Sequence, residues 1–177
     1  LGHWVVDGCV FRKTANHTGG IHVANLTYPW VMLVLRNCVF YNIDDCIRFD
    51  ATTYQNASSI IEHNNIFVLH TAATGKFIIR TKGSIAHSDY SCGWAIDGAP
   101  AASDRWGGTG LPEHSIEQDP QFVDVANGDY RPRNPNVLRG GKPDIADNSP
   151  QMGAVLQEYQ FARRAKAANL GRLQIIR

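Results

Sequence analysis

Apolar and variable positions alternate in short runs along this chain, and the runs return at one offset from a turn residue. Val6-Asp7-Gly8-Cys9-Val10-Phe11, Leu35-Arg36-Asn37-Cys38-Val39-Phe40 and Glu62-His63-Asn64-Asn65-Ile66-Phe67 share a single form. Their turn position holds Gly8, Asn37 and Asn64, the residue types that tolerate the left-handed backbone of a sharp corner between strands. Three places later stand Phe11, Phe40 and Phe67, predicted to lie one above another about 4.8 Å apart. A degraded fourth copy reads Ala86-His87-Ser88-Asp89-Tyr90-Ser91, with Ser88 at the turn. The steps between turn residues are 29, 27 and 24, as expected where each repeat carries a loop of its own length; the loops are placed at 13–19, 51–58 and 70–75.

A second register follows each copy: Gly20-Ile21-His22-Val23-Ala24, Cys46-Ile47-Arg48-Phe49-Asp50, Lys76-Phe77-Ile78-Ile79-Arg80 and Gly93-Trp94-Ala95-Ile96-Asp97. A period of two sends Ile21, Ile47, Phe77 and Trp94 inward, together with Val23, Phe49, Ile79 and Ile96. The outward columns then read His22, Arg48, Ile78, Ala95 and Ala24, Asp50, Arg80, Asp97. An antiparallel sandwich also has short alternating strands, but it gives no reason for a left-handed residue and a Phe to recur at one offset. The pattern predicts an all-β fold, a right-handed parallel β-helix whose coils occupy residues 1–98. Residues 99–118, rich in Gly, Ala and Pro, read as a loop, 119–155 as a C-terminal closing segment, and 156–177 as a short, partly helical tail.

With 177 residues, 44% hydrophobic and 19% charged, the chain suits one compact domain. No stretch reaches the roughly 18 consecutive apolar residues of a membrane helix, so no membrane span is expected. The net charge of +1 conceals an asymmetry: of 17 bases and 16 acids, five bases and no acid lie in 159–177, leaving the body at −4 and the tail at +5. Without a recognition motif such a tail reads as a solvated helix, and no nucleic-acid partner is expected. Cys9, Cys38, Cys46 and Cys92 form no metal-finger spacing. Cys9 and Cys38 occupy equivalent places in adjacent coils, near enough for a disulfide but with parallel Cβ directions that suit free thiols better.

Asp119-Pro120-Gln121-Phe122-Val123-Asp124, followed by Asn127-Gly128-Asp129-Tyr130-Arg131-Pro132, resembles the closing segment of bacterial pectate-lyase-like parallel β-helix proteins. Asp144 to Val155 resembles its last turn. The chain departs from that pattern at Asn134-Pro135-Asn136-Val137-Leu138, where a Ser-Pro-Ala run is usual, and in the extension after Gln157. The resemblance implies a secreted or cell-surface protein that binds or degrades an acidic polysaccharide or other glycan. Its first coil is predicted to be uncapped, to be covered by missing N-terminal coils or by another subunit.

If the protein is an enzyme, the resemblance implies a uronate lyase. Arg48 or Arg80 then neutralises the substrate carboxylate, and Lys82 or His22 removes the adjacent proton. Tyr54 and Trp30, with Trp106 and Tyr28, are candidates to stack on sugar rings, and Asp97 is a further substrate-binding candidate. A hydrolase would use Asp50 and Asp97 across a glycosidic bond, with Arg80 between them. Asp44, Asp45 and Asp50 form a candidate calcium site, since hard cations take clustered carboxylate oxygens; no other cofactor is implied. The competing expectation is a non-catalytic structural or adhesive β-helix, such as a surface filament, spike or assembly component. In that case Asp50, Arg80 and Asp97 form only a surface charge ladder.

Overall fold

The computed structural model describes residues 2–13, 19–23, 31–49, 59–71, 74–80, 85–98, 105–107, 110–141 and 152–153. The chain is mostly β, and its strands build three all-parallel sheets. The first sheet contains β1 (Gly2–Asp7), β4 (Val31–Arg36), β7 (Ser59–His63) and β10 (Ile85–Asp89) in that order. The second contains β2 (Val10–Arg12), β5 (Val39–Tyr41), β8 (Ile66–Leu69), β11 (Cys92–Ala95) and β12 (Ile116–Glu117), and the third β3 (Gly19–Val23), β6 (Asp45–Phe49) and β9 (Lys76–Arg80). In sequence the chain visits first, second and third sheet in turn and then starts again, one coil per circuit.

The repeated motif is the corner between the first and second sheets. Gly8, Asn37 and Asn64 have φ of 66°, 54° and 58°, as their residue types predict. Phe11, Phe40 and Phe67 are Cα partners through the second sheet. Their rings stack at centroid distances of 4.6 and 5.3 Å. The fourth corner residue is Tyr90, at φ 55°, rather than Ser88, so the last step is 26 residues and Gly93 lies over Phe67. Phe77 and Trp106 fill the space a side chain at Gly93 would take, since a Cβ there would stand 2.5 and 2.9 Å from their rings.

Two registers differ from the sequence expectation. Residues 92–95 belong to the second sheet, paired with β8, and not to the third. In the third sheet Ile47 pairs with Ile78, Arg48 with Ile79 and Phe49 with Arg80, one place from the expected alignment. The run Phe77-Ile78-Ile79 is apolar throughout, so alternation alone did not choose its face. Phe77 and Ile78 are both buried. The repeat also continues past residue 98: β12 adds a fifth strand to the second sheet, and Trp106 makes a parallel bridge to Ile78 of the third.

Residues 122–139 form an antiparallel hairpin, β13 (Phe122–Asp124) with β14 (Asp129–Pro132), and a short helix α1 (Pro135–Arg139) capped by the Asn134 side chain. They lie against the outer side of the second sheet. Tyr130, Val137 and Met152 pack on Val39, Ile66, Val68 and Cys92, with Phe122 and Val125 at the margin. The segment therefore covers a flank of the stack. The helix expected in the tail lies outside the described residues. Among the described residues no helix is long and apolar enough to cross a membrane. All four cysteines are free thiols, and Cys38, Cys46 and Cys92 are buried.

Candidate functional site

On the outer face of the third sheet His22 and Arg48 are Cα partners, and both are exposed. Strand alternation puts them there, because Ile21, Val23 and Ile47 on either side face the core. Arg80 stands beside Phe49 on the next coil, so its position is diagonal to Arg48. The sheet brings His22 and Arg48 together on its outer face, while Arg80 takes the register position of Phe49, one place off their column. Lys82 follows β9 outside the described residues, as do Asp50, Tyr54, Trp30 and Tyr28.

Arg80 and Asp97 do not share the expected column, because Arg80 pairs with Phe49 of the third sheet and Asp97 sits in the turn after β11 of the second. There Asp97 accepts a hydrogen bond of 3.1 Å from the Thr71 hydroxyl. Trp106 is fully buried and donates its indole N–H to Glu117 at 2.9 Å, which makes it a core residue and removes it from the sugar-stacking candidates.

Asp44 is engaged by protein groups on both oxygens. Its Oδ2 lies 3.6 Å from Lys13 Nζ, and its Oδ1 accepts from the Thr71 backbone N–H at 3.2 Å. Burial, reinforced by Asp44 and opposed by Arg48 and Lys76, raises the Asp45 carboxyl above its ordinary value. Among the described residues no group of three or more His, Cys, Asp or Glu is arranged to hold a metal.

The charge ladder occurs elsewhere, along the end of the first sheet, where Asp7, Arg36, His63 and Asp89 succeed one another as Cα partners. Asp7 accepts from Arg36 Nη2 at 2.9 Å and from Asn37 Nδ2 at 2.9 Å. At the other end Asp89 accepts from the backbone N–H and Nδ1 of His114, both at 2.8 Å, and from the Tyr90 N–H at 3.0 Å. Burial alone would raise the Asp89 carboxyl, but these three donors outweigh it and hold it below the ordinary carboxylate value. The same bond raises His114 above the usual imidazole value. The His114 ring lies flat on Tyr90, and its Nδ1 is committed to Asp89, so the tautomer and ring orientation are both set. Sequence reasoning missed this pair because His114 fell in a stretch read as loop.

Inside the stack a polar ladder runs beside the aromatic one. The backbone N–H of Cys9 points to Cys38 Sγ at 3.5 Å, that of Cys38 to Asn65 Oδ1 at 2.9 Å, that of Asn65 to Ser91 Oγ at 3.0 Å, and that of Ser91 to Ser115 Oγ at 3.1 Å. Each corner thus satisfies a buried donor that strand pairing leaves over. Glu62 projects into the same interior, because it shares the inward column of Leu35 and Ser88. Its carboxylate accepts from Asn65 Nδ2 and Ser91 Oγ, each at 2.7 Å, and from the Ser88 hydroxyl. Burial raises its pKa to about 7 against the pull of those three donors, and the charge of Asp89 adds to the rise.

Comparison of the sequence with protein-family models, with curated proteins and with solved structures gives no match.

Proposed function

We propose that this protein is a right-handed parallel β-helix, secreted or displayed at a cell surface, that binds an acidic polysaccharide along the outer face of its third sheet. The cyclic order of the three sheets supports the fold, and the right hand follows from the preference of parallel crossover connections, about 98% of which are right-handed. The observation that carries the functional reading is the exposed His22 and Arg48 column. Guanidinium groups bind carboxylates in a planar, two-toothed geometry. Groups repeated at the strand spacing of about 4.8 Å meet an extended polymer at several points.

Affinity electrophoresis through gels containing polygalacturonate, alginate or a neutral glucan, each with and without calcium, tests the binding. Retardation by the acidic polymers alone, reduced by Arg48→Ala, is the expected result. Retardation that Arg48→Ala leaves unchanged would remove the third sheet from the reading. The finer lyase reading, with Arg48 and Arg80 on the carboxylate and Lys82 or His22 as base, requires a rise in ultraviolet absorbance from unsaturated uronates in the same mixtures.

A second reading, a structural or adhesive β-helix, is favoured by a specific observation: acids and bases pair from coil to coil, as in Asp7 with Arg36, Lys13 with Asp44 and Asp89 with His114. On either reading another subunit covers the first coil, where Trp4 and Val5 are 54% and 63% exposed. A monomer in sedimentation runs would count against that cover.

A further inference from the structure

Glu62 is a carboxyl group enclosed on every side by a repeat that otherwise buries apolar or neutral residues at this depth. It is 1% exposed, and the inward column it belongs to holds Leu35 below and Ser88 above. Its partners come from two coils, and one of them reaches a third. Asn65 donates to it from the corner that follows its own strand, while Ser88 and Ser91 donate from the next coil. Asn65 also donates to the Leu35 carbonyl at 3.1 Å and accepts from the Cys38 N–H, both on the coil before. One carboxyl therefore stands at the junction of the second, third and fourth coils.

We propose that Glu62, Asn65, Ser88 and Ser91 form a proton-controlled clasp that locks these three coils when Glu62 carries a proton and loosens them when it is ionised.

Both protonation states can be bonded, which allows the group to switch in place. The ionised carboxylate accepts from Ser88, Asn65 and Ser91. In the neutral acid the proton sits on Oε1 and is given to a rotated Ser88 hydroxyl, while Oε2 keeps its bonds from Asn65 and Ser91. The states differ in desolvation, because a buried charge in this apolar surround costs far more than the neutral acid. A carboxyl whose folded pKa is raised from 4.5 to about 7 contributes stability that is complete below 4.5 and is lost as pH rises towards 7.

The groups facing Glu62 decide what else titrates. From β4 comes apolar Leu35, and from the corners come the neutral Asn65, Ser91 and Cys38, whose thiol burial pushes up to about 12. From β10 come Ser88 and, on the outer side, Asp89, whose negative charge favours the protonated form of Glu62. His114 on Asp89 titrates in an overlapping range and in the same direction, since loss of its proton also removes a stabilising pair. A separating variant is therefore needed.

The test is native-state hydrogen exchange at the Asn65 and Ser91 amides from pH 5 to pH 8, expressed as protection relative to the unstructured chain. Protection in the wild type is expected to fall on the order of 100-fold over this range, most of it below pH 7. In Glu62→Gln, whose amide can give its N–H to Ser88 and keep its oxygen for Asn65 and Ser91, the fall is expected to shrink to about threefold or less. In His114→Gln most of it is expected to remain. An unchanged fall in Glu62→Gln, or its disappearance in His114→Gln instead, overturns the clasp. The Glu62 carboxyl carbon followed by NMR in the wild type serves if the variant does not fold: a midpoint near 7 supports the proposal and one below 5 overturns it.

Discussion

His114 lies face to face with Tyr90, ring centroids 4.4 Å apart and planes within 5° of parallel, while its Nδ1 is bonded to Asp89. The imidazole is therefore oriented by a π surface and a carboxylate that come from the same corner. Titration of the ring by NMR is expected to show His114 above the ordinary value of 6.5, because the carboxylate favours the imidazolium. Asp89→Asn keeps the shape and removes the charge, so the midpoint should move down. A midpoint indifferent to that substitution would mean that the ion pair does not form in solution.

Two adjacent glycines should respond very differently to alanine. A Cβ on Gly20 would stand 2.4 Å from the Cys46 carbonyl oxygen and 3.0 Å from the Phe40 ring, and backbone in a paired strand has little room to move. A Cβ on Gly19 would meet nothing within 4 Å. Gly20→Ala is expected to cost about 2 kcal/mol or more, in the range for overpacked cores. Gly19→Ala should stay within about 0.5 kcal/mol. Denaturant unfolding of the pair decides it, and equal midpoints would show that β3 does not pack on β6 as described.

The aromatic ladder predicts a gradient along the stack. Phe40 is fully buried between Phe11 and Phe67, whereas Phe11 is only half-buried and stacks on Phe40 alone among the three. Phe40→Ala should cost about 3–5 kcal/mol, as for other large-to-small changes in a core. Phe11→Ala should cost clearly less. The order would reverse if the first coil carried the stability of the domain.

The corners and the aromatic ladder were legible in the sequence because each is fixed by residue type. Asn and Gly announce left-handed backbone, and Phe at a constant offset announces a stack. Tyr90 adopts the same backbone without announcing it, since aromatic residues rarely do, and the fourth corner was consequently placed two residues early at Ser88. That slip carried residues 93–97 into the wrong sheet. The third-sheet register failed for a different reason: Phe77, Ile78 and Ile79 give no alternation, so either face was admissible. His22 and Arg48 were correctly paired because the residues around them alternate cleanly. The polar interior was not legible at all, since Glu62 is a charged residue at an inward position, and pattern alone assigns charge to the surface.

Asn65 is the residue on which that polar interior depends. It is fully buried, and its side chain makes three contacts that no apolar one could replace, Oδ1 accepting from the Cys38 N–H and Nδ2 donating to Glu62 and to the Leu35 carbonyl, while its backbone N–H reaches Ser91. Asn65→Ala keeps only the last of these. It leaves the buried Cys38 N–H without its Asn65 acceptor and strips one donor from a buried carboxylate, and each such loss costs about 1–3 kcal/mol. The variant is expected to lose at least about 2 kcal/mol at pH 5 and more at pH 8, where Glu62 is ionised and needs its donors most. Denaturant unfolding at both pH values measures the difference. A loss that is equal at the two values would show that Asn65 supports the corner backbone but not the charge of Glu62.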